Sequence, residues 1–462
     1  MRLLLLTTLG IALVACSRTP SNVRDETVPA PSRPPTAGDL EREVGRLVAE
    51  HGAERAFWPG FDPLAIPLAV YDGERTVLFR HPSPPEGFVP APDAGSSAHA
   101  HDGRHEAIIA NTSVELGGVS TATFLLDQVP PGYGLTDLAA VAIHEAFHAH
   151  QRAHHPDWIA NEADLFTYPT GSAELLAFQR MEAAALHEAL AADSLDAAGC
   201  WARRSLALRE DRYARMAPAF AAYERGTELN EGLATYVEMR AAGRDTVARP
   251  ATEFGPADVR RRAYASGAAL ALLLDRLAPD WQTALATGEA QTLDAALAAA
   301  LGAGKTCAFD AATTKDAEAK ARADIAALAA ERSRRLAEFE ASPGWRVVIE
   351  AAHDGALLRP QGLDPLNVVP LDARRTLHAR FLRLGNDAGH MVAMNAASLT
   401  EGAGTHPLFD GVRRVTLTGL AEPQVHQAED KVTVQAAPGL DLAFDDATVE
   451  HEDGVVTVRL GR

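Results

Sequence analysis

The chain has 462 residues, 47% hydrophobic and 23% charged. That balance builds sizeable cores in two or three domains and excludes a disordered chain. A formal net charge of −19 excludes nucleic acid as a partner, because phosphate binding needs a basic surface.

Arg2 and the apolar run Leu3 to Val14, broken only by Thr7, Thr8 and Gly10, are too short for a mature bilayer span. They read as a cleaved export signal over residues 1–15. The run ends in Leu13-Val14-Ala15-Cys16, which resembles the lipobox of bacterial lipoproteins. The resemblance implies cleavage before Cys16 and acylation of that cysteine on sulfur and amine, since stable anchoring takes two or more chains. An ordinary secretory signal with an incidental cysteine is the other reading. Ser17 after the cysteine implies, for a Gram-negative cell, the outer membrane facing the periplasm. Residues 16–38, with Pro20, Pro29, Pro31, Pro34 and Pro35, form a tether.

Asp39 reads as the N-cap of a helix with Leu40, Val44, Leu47 and Val48 on one face. Ile66–Tyr71 and Thr76–Phe79 read as a hairpin turned at Asp72-Gly73, where Pro67 weakens the first strand or holds it at an edge. Residues 91–105 read as a polar loop containing His99, His101 and His105. A second strand pair, Glu106–Asn111 and Thr121–Leu126, gives way to Pro130, Pro131 and Gly132. Thr136 can cap the next helix, with Asp137 favourable at its positive end. From there to about residue 340 the chain is rich in Ala, Leu, Glu and Arg and reads as helical. Ser172–Ala192 and Trp201–Tyr223 form a helical hairpin, and Asp316–Ala341 a long charged helix. Cys200 and Cys307 either pair or remain two buried thiols. After Pro343-Gly344 the pattern switches to period two. Trp345–Ile349, Arg413–Thr418, Lys431–Gln435 and Val455–Leu460 read as strands, with turns at Asp354-Gly355 and Asp453-Gly454. Residues 345–462 therefore form a β-rich domain.

The chemistry centres on His144-Glu145-Ala146-Phe147-His148. On a helix, His144 and His148 leave the same face one turn apart, a spacing that suits two corners of a tetrahedral Zn²⁺ site. Glu145 then lies beside the metal as a general base. Ala139, Ala140, Val141, Ala142 and Ile143 bury the approach, which two histidines on a solvated face would not require. A catalytic zinc needs a third protein ligand.

Two later segments carry a resemblance. Asn230-Glu231-Gly232-Leu233-Ala234 is similar to the Asn-Glu-Gly-Phe-Ala segment of the aminopeptidase N-like gluzincins. Tyr264-Ala265-Ser266-Gly267, followed by apolar residues, looks like the Tyr-x-x-Gly helix of the same family. The resemblance covers residues 106–285 and implies Glu231 as third zinc ligand, with Tyr264 as oxyanion donor. Glu228, three residues before Glu231, competes for the ligand role. Glu174 and Glu182 are further alternatives, as ligands or as partners of a histidine. Two departures stand out. The gap between His148 and Glu231 holds 82 residues, an excess read as a hairpin insertion at 172–224 that projects aside or roofs the cleft. The family's Gly-x-Met-Glu-Asn anchor for a substrate amine is missing from Glu115 to Leu126, where only Gly117-Gly118 remains. Gln151 and Asn161 are candidate substrate contacts, and His154 and His155 fall near the cleft mouth. His150 is expected to point away from the metal.

The expected fold class is α+β. A zincin-like catalytic domain over 39–340, a small mixed sheet plus a mostly helical subdomain, precedes the β-rich 345–462. The expected activity is zinc-dependent peptide hydrolysis by a lipid-anchored envelope protein acting on a peptide or protein substrate, as an endopeptidase rather than an aminopeptidase. The alternative is an inactive zincin-like binding or assembly lipoprotein. The sequence carries no sign of oligomeric state.

Overall fold

The computed structural model describes residues 34–52, 57–129, 132–245, 254–364, 367–404 and 406–461. The export signal, Cys16 and most of the tether lie outside the described residues. Helix α1 (Ala37–Leu47) is capped by Thr36 rather than Asp39, which sits three residues later and completes a capping box. Strands β1 (Leu68–Tyr71), β2 (Arg75–Phe79), β3 (Val89–Pro90), β4 (His99–Asp102), β5 (Thr112–Leu116) and β6 (Val119–Leu125) form one sheet in the order β3-β4-β2-β1-β6-β5. Only β1 and β6 run parallel, so the sheet is mixed.

The expected first hairpin is present, but Pro67 stands just before β1, and β1 is an interior strand. The proline has no N–H to lose from the ladder there, and its carbonyl accepts from Ala122 N–H. Two other expectations shift. His99 and His101 lie on β4 inside the supposed polar loop. The strand placed at Glu106–Asn111 is instead β5, turned into β6 at Gly117-Gly118, with φ of +56° and +78°. Two successive positive φ values are what a tight hairpin turn of this hand needs, and glycine adopts them freely.

Both faces of this sheet are covered. Leu68, Val70, Val77 and Phe124 join the main core with Ile143 and Phe147 of α2 (Leu135–His154), while Ala69, Leu78 and Leu125 pack with Phe88, Ile108 and Leu116. Helices α3 (Ala163–Thr167), α4 (Ala173–Ala191), α5 (Leu195–Tyr213), α6 (Pro218–Thr227), α7 (Leu233–Ala241), α8 (Val259–Leu277), α9 (Trp281–Ala286), α10 (Leu293–Leu301) and α11 (Ala311–Glu340) follow. The second arm of the expected hairpin is broken: Ser194 caps α5, and Pro218 opens a new helix at its N1 position. Cys200 of α5 and Cys307 form a disulfide with Cα atoms 5.1 Å apart, settling the open question of their pairing.

The chain divides into two compact units between Arg322 and Ala323, within α11. The second unit is β-rich. One sheet has the order β18-β19-β7-β14-β13-β10-β9, built from Ala447–Glu452, Val455–Leu460, Trp345–Ala351, Val412–Leu420, Ser398–Gly402, Arg375–His378 and Val368–Pro370. The other has the order β15-β16-β17-β12-β11-β8, built from Gln424–Ala428, Lys431–Ala436, Leu440–Phe444, Gly389–Met394, Phe381–Asn386 and Arg359–Leu363. Val347, Ile349, Val415, Leu417, Val456 and Val458 of the first pack on Leu382, Leu384, Met391, Val432, Val434, Leu442 and Phe444 of the second. The alternating residues thus meet as the inner faces of a sandwich. Asp453-Gly454 turns β18 into β19, as expected. Asp354-Gly355 does not make a hairpin, because it joins strands of different sheets.

Candidate metal centre

Helix α2 is preceded by Gly134 at its N-cap, whose N–H donates to Asp137 Oδ2 at 3.2 Å. Thr136 is not the cap; its hydroxyl donates to Glu43 Oε1 of α1 at 2.8 Å. The apolar approach predicted from sequence is buried at Ala139, Ala140, Ala142 and Ile143. Helical spacing then brings the Nε2 atoms of His144 and His148 to 3.1 Å. A carboxylate oxygen of Glu145 lies within 4.8 Å of a ring nitrogen of each, and these three residues make a group that can hold a metal ion.

Across from α2, residues Glu228–Gly232 form a single π turn between α6 and α7. This wider turn changes the phase between Glu228 and Glu231, which a regular helix would leave on one face. Glu231 Oε2 approaches His148 Nε2 at 3.4 Å and His144 Nε2 at 3.7 Å. Glu228 turns away, gripped by Arg209 at 2.6 and 2.8 Å and accepting from the Ser266 hydroxyl. The crossing that sets this distance is glycine on glycine. A Cβ at Gly232 would come 2.7 Å from Gly267 Cα, and one at Gly267 would come 2.8 Å from Gly232 Cα.

The tautomers of the two histidines follow from their partners. Gln151 Nε2 donates to the carbonyls of Leu229 and Asn230, both at 2.9 Å, so its Oε1 must face His148 Nδ1, 2.8 Å away. An amide oxygen only accepts; His148 Nδ1 therefore carries the proton. Glu238 Oε2 lies 3.2 Å from His144 Nδ1 and accepts from it in the same way. Both Nε2 atoms are left with lone pairs, facing each other and a carboxylate. Three electron-pair donors, His144 Nε2, His148 Nε2 and Glu231 Oε2, converge, and such a set suits a cation.

Glu145 is 1% exposed and its Oε1 has no hydrogen-bond partner. Burial raises its proton affinity, against the attraction of His144 and His148 when their rings are protonated. Burial would do the same to Glu231, but His148 and His144, when their rings are protonated, and Arg260 outweigh it and hold that carboxyl well below its usual range. Arg260 donates to Glu231 Oε1 at 2.8 Å and to the Tyr264 hydroxyl oxygen at 3.0 Å, and it also binds Glu162. Tyr264 is thus linked to the centre through one arginine. The centre is largely buried: the side chains of His144, Glu231 and His148 are 2%, 5% and 11% accessible.

The other candidate acids have different roles. Glu182 is buried between Arg209 and Arg212, and Glu174 is an exposed acid paired with Arg215. The insertion is tied into the domain by buried ion pairs. Arg209 of α5 ties Glu182 of α4 to Glu228, while Arg212 joins Glu182 to Glu224 at 2.6 to 2.8 Å. Gln151 is a histidine partner rather than a substrate contact, since its amide is committed on both sides. Asn161 Oδ1 accepts from Ala163 N–H. His150 is buried against Phe61 and Phe147, away from the pair, and stacks on His154, while His155 stacks on Trp158. Sequence reasoning missed Glu238 and Arg260. Glu238 is seven residues, two helical turns, beyond Glu231, and that spacing was the available signal. No family model matches this chain, and no curated protein or solved structure matches it.

Proposed function

We propose that this chain is a zinc-dependent peptide hydrolase, an endopeptidase rather than an aminopeptidase, with a zincin-like domain over residues 39–340. The observation that carries the reading is the converging triangle of His144 Nε2, His148 Nε2 and Glu231 Oε2, with edges of 3.1, 3.4 and 3.7 Å. Tetrahedral zinc with ligands at about 2.0–2.1 Å needs edges of about 3.3–3.4 Å, so the donor set fits it. The carboxylate and amide oxygen behind the two rings are the kind of support that zinc-binding histidines use.

Zinc held by His144, His148 and Glu231 would supply Lewis acidity that makes water acidic near neutral pH. The chain's own residues do the rest. Glu145, whose burial favours protonation, takes the proton of the attacking water and returns it to the leaving amine. Tyr264, whose oxygen accepts from Arg260, is the phenol this reading assigns to the oxyanion of the carbonyl under attack. Endopeptidase action is supported by Gly117-Gly118, which serves as a hairpin turn with no amine-binding glutamate motif beside it. The Cys16 lipobox supports a lipid-anchored envelope protein, in the outer membrane and facing the periplasm. Among the described residues no helix is long and apolar enough to cross a membrane.

A second reading is a zincin-like binding or assembly lipoprotein without turnover. It draws on the burial of Glu145 and His144, which are 1% and 2% exposed. One experiment separates the two. The purified protein should carry one zinc and cleave members of a peptide library, with chelator stopping cleavage. Glu145→Gln should retain zinc and lose about 10²–10⁴-fold in rate. Protein without stoichiometric zinc, or Glu145→Gln with full activity, refutes the hydrolase reading. Zinc without cleavage of any peptide favours the binding protein.

A further inference from the structure

Helix α2 carries a cation that neither the metal centre nor the proton relay uses. Arg152 is one turn beyond His148 and seven residues beyond Glu145. At about 100° per residue, Glu145 and Arg152 fall on nearly one stripe of the helix, about 10.5 Å apart along its axis. Arg152 is an exposed residue. Its Nη2 donates to Ser113 Oγ of β5 and, at 3.5 Å, to Ser120 Oγ of β6. It has no ion pair with any described carboxylate. Glu115, on the same face of β5 as Ser113, does not pair with it.

Four other arginines differ. Arg209, Arg212, Arg225 and Arg260 each carry a carboxylate partner. In a chain of net charge −19, Arg152 is aimed by two hydroxyls that fix its position, and it feels the charge of Glu145 without pairing with it. A planar guanidinium held this way is prepared for a two-point contact with a carboxylate.

We propose that Arg152 is the substrate-selecting residue of the metal centre and binds a peptide carboxylate, either an acidic side chain or a C-terminus. An extended peptide advances about 3.3–3.6 Å per residue, so a carbonyl beside Glu145 puts the carboxylate about three residues away. The identity of the peptide as a substrate rests on the hydrolase reading, whereas binding of the carboxylate does not.

The test separates the two. Zinc-loaded Glu145→Gln protein is titrated calorimetrically with hexapeptides of alanine and serine. One is capped at both ends and neutral, one set is capped with a single glutamate at each position in turn, and one has a free C-terminal carboxylate. A glutamate peptide or the free-acid peptide should bind about tenfold more tightly than the neutral one; whichever does identifies the source of the carboxylate. Arg152→Gln, which keeps the polar stem without the charge, should abolish the difference. Arg152→Lys should restore part of it, and Arg152→Glu should transfer the preference to a lysine peptide. Equal binding of all peptides, absence of binding, or a preference that survives Arg152→Gln overturns the proposal. Turnover by the Glu145-intact protein is read separately. Charge-selective binding without cleavage sinks the hydrolase reading alone, and cleavage without charge selectivity sinks the role of Arg152 alone.

Discussion

Glu238→Gln tests the construction of the centre at a point where no proposed ligand is altered. Glu238 Oε2 accepts from His144 Nδ1 at 3.2 Å, between side chains only 6% and 2% accessible, so water screens the contact little. A hydrogen bond to a charged group contributes about 1.5–3 kcal/mol net, and a neutral one about 0.5–1.5. Replacing the carboxylate with an amide therefore weakens the support of His144 by about 1–1.5 kcal/mol, or about tenfold in zinc affinity at 1.4 kcal/mol per decade. The amide adds a second hazard. Turned to present its N–H to Nδ1, it would move the imidazole proton to Nε2, which could then no longer ligate. Glu238→Ala, which leaves a buried N–H without a partner, should approach a hundredfold. Competition with a chromophoric chelator at fixed pH measures both, with circular dichroism reporting the fold and exposed Glu174→Gln as the control expected to bind like the parent. Parental zinc affinity in both folded Glu238 variants would refute the reasoning, because the pair would then be oriented by something else.

Glu228→Gln should destabilise the fold by about 1–3 kcal/mol in urea unfolding, since it strips one of two acids paired with buried Arg209 and leaves Glu182, while the folded protein should still bind zinc. Loss of metal without loss of stability would instead make Glu228 the ligand. Gly267→Ala should cost about 1–3 kcal/mol and weaken zinc binding, because its Cβ would stand 2.8 Å from Gly232 Cα and 2.9 Å from the Glu228 carbonyl oxygen, both backbone atoms. A variant with parental stability and affinity would show that the π turn yields freely. In the second unit, burial and then the neighbouring His406 push His378 down to about 4 from its usual 6.5. The unfolded chain binds the proton more readily, so the stability is complete above about pH 6.5 and is lost as pH falls through about 4. That drop of about 2.5 pH units corresponds to about 3 kcal/mol. Urea unfolding at pH 7 and pH 4 should show that extra loss in the parent and not in His378→Asn, and equal losses in both would reject it.

What could be read from sequence was what is local. The four-residue spacing of His144 and His148 needs only a helix, and the buried run before them ensured one. Alternation in Val455–Leu460 or Lys431–Gln435 marks strands, but not which of two sheets receives them, because sheet membership depends on long-range pairing. His99 and His101 were hidden as strand residues because β4 is short and broken by polar side chains, so its pattern matched a loop. The division of labour between Glu228 and Glu231 was hidden for another reason. Equal acids three apart are indistinguishable on a regular helix, and only the π turn separates them.

That turn explains why the long insertion is there at all. A lone π turn is an unfavourable local choice, so something must hold it. Gly232 and Gly267 permit the close crossing with α8, and the insertion supplies the grip through Arg209 of α5, bound to Glu182 of α4 and to both oxygens of Glu228. Burial opposes ionisation of Glu224, yet Arg212 and Tyr168 hold its carboxyl at about 2, so Glu224 stays charged near neutral pH. Desolvating so many charges adds little net stability, and an apolar core would serve stability as well. It could not fix the direction of one carboxylate relative to another one turn away. With Glu228 pinned on one side of the segment and Gln151 bonded to the carbonyls of Leu229 and Asn230 on the other, Glu231 has one orientation left, toward His144 and His148. The 82 residues that looked like a departure from a compact site are therefore part of what builds it.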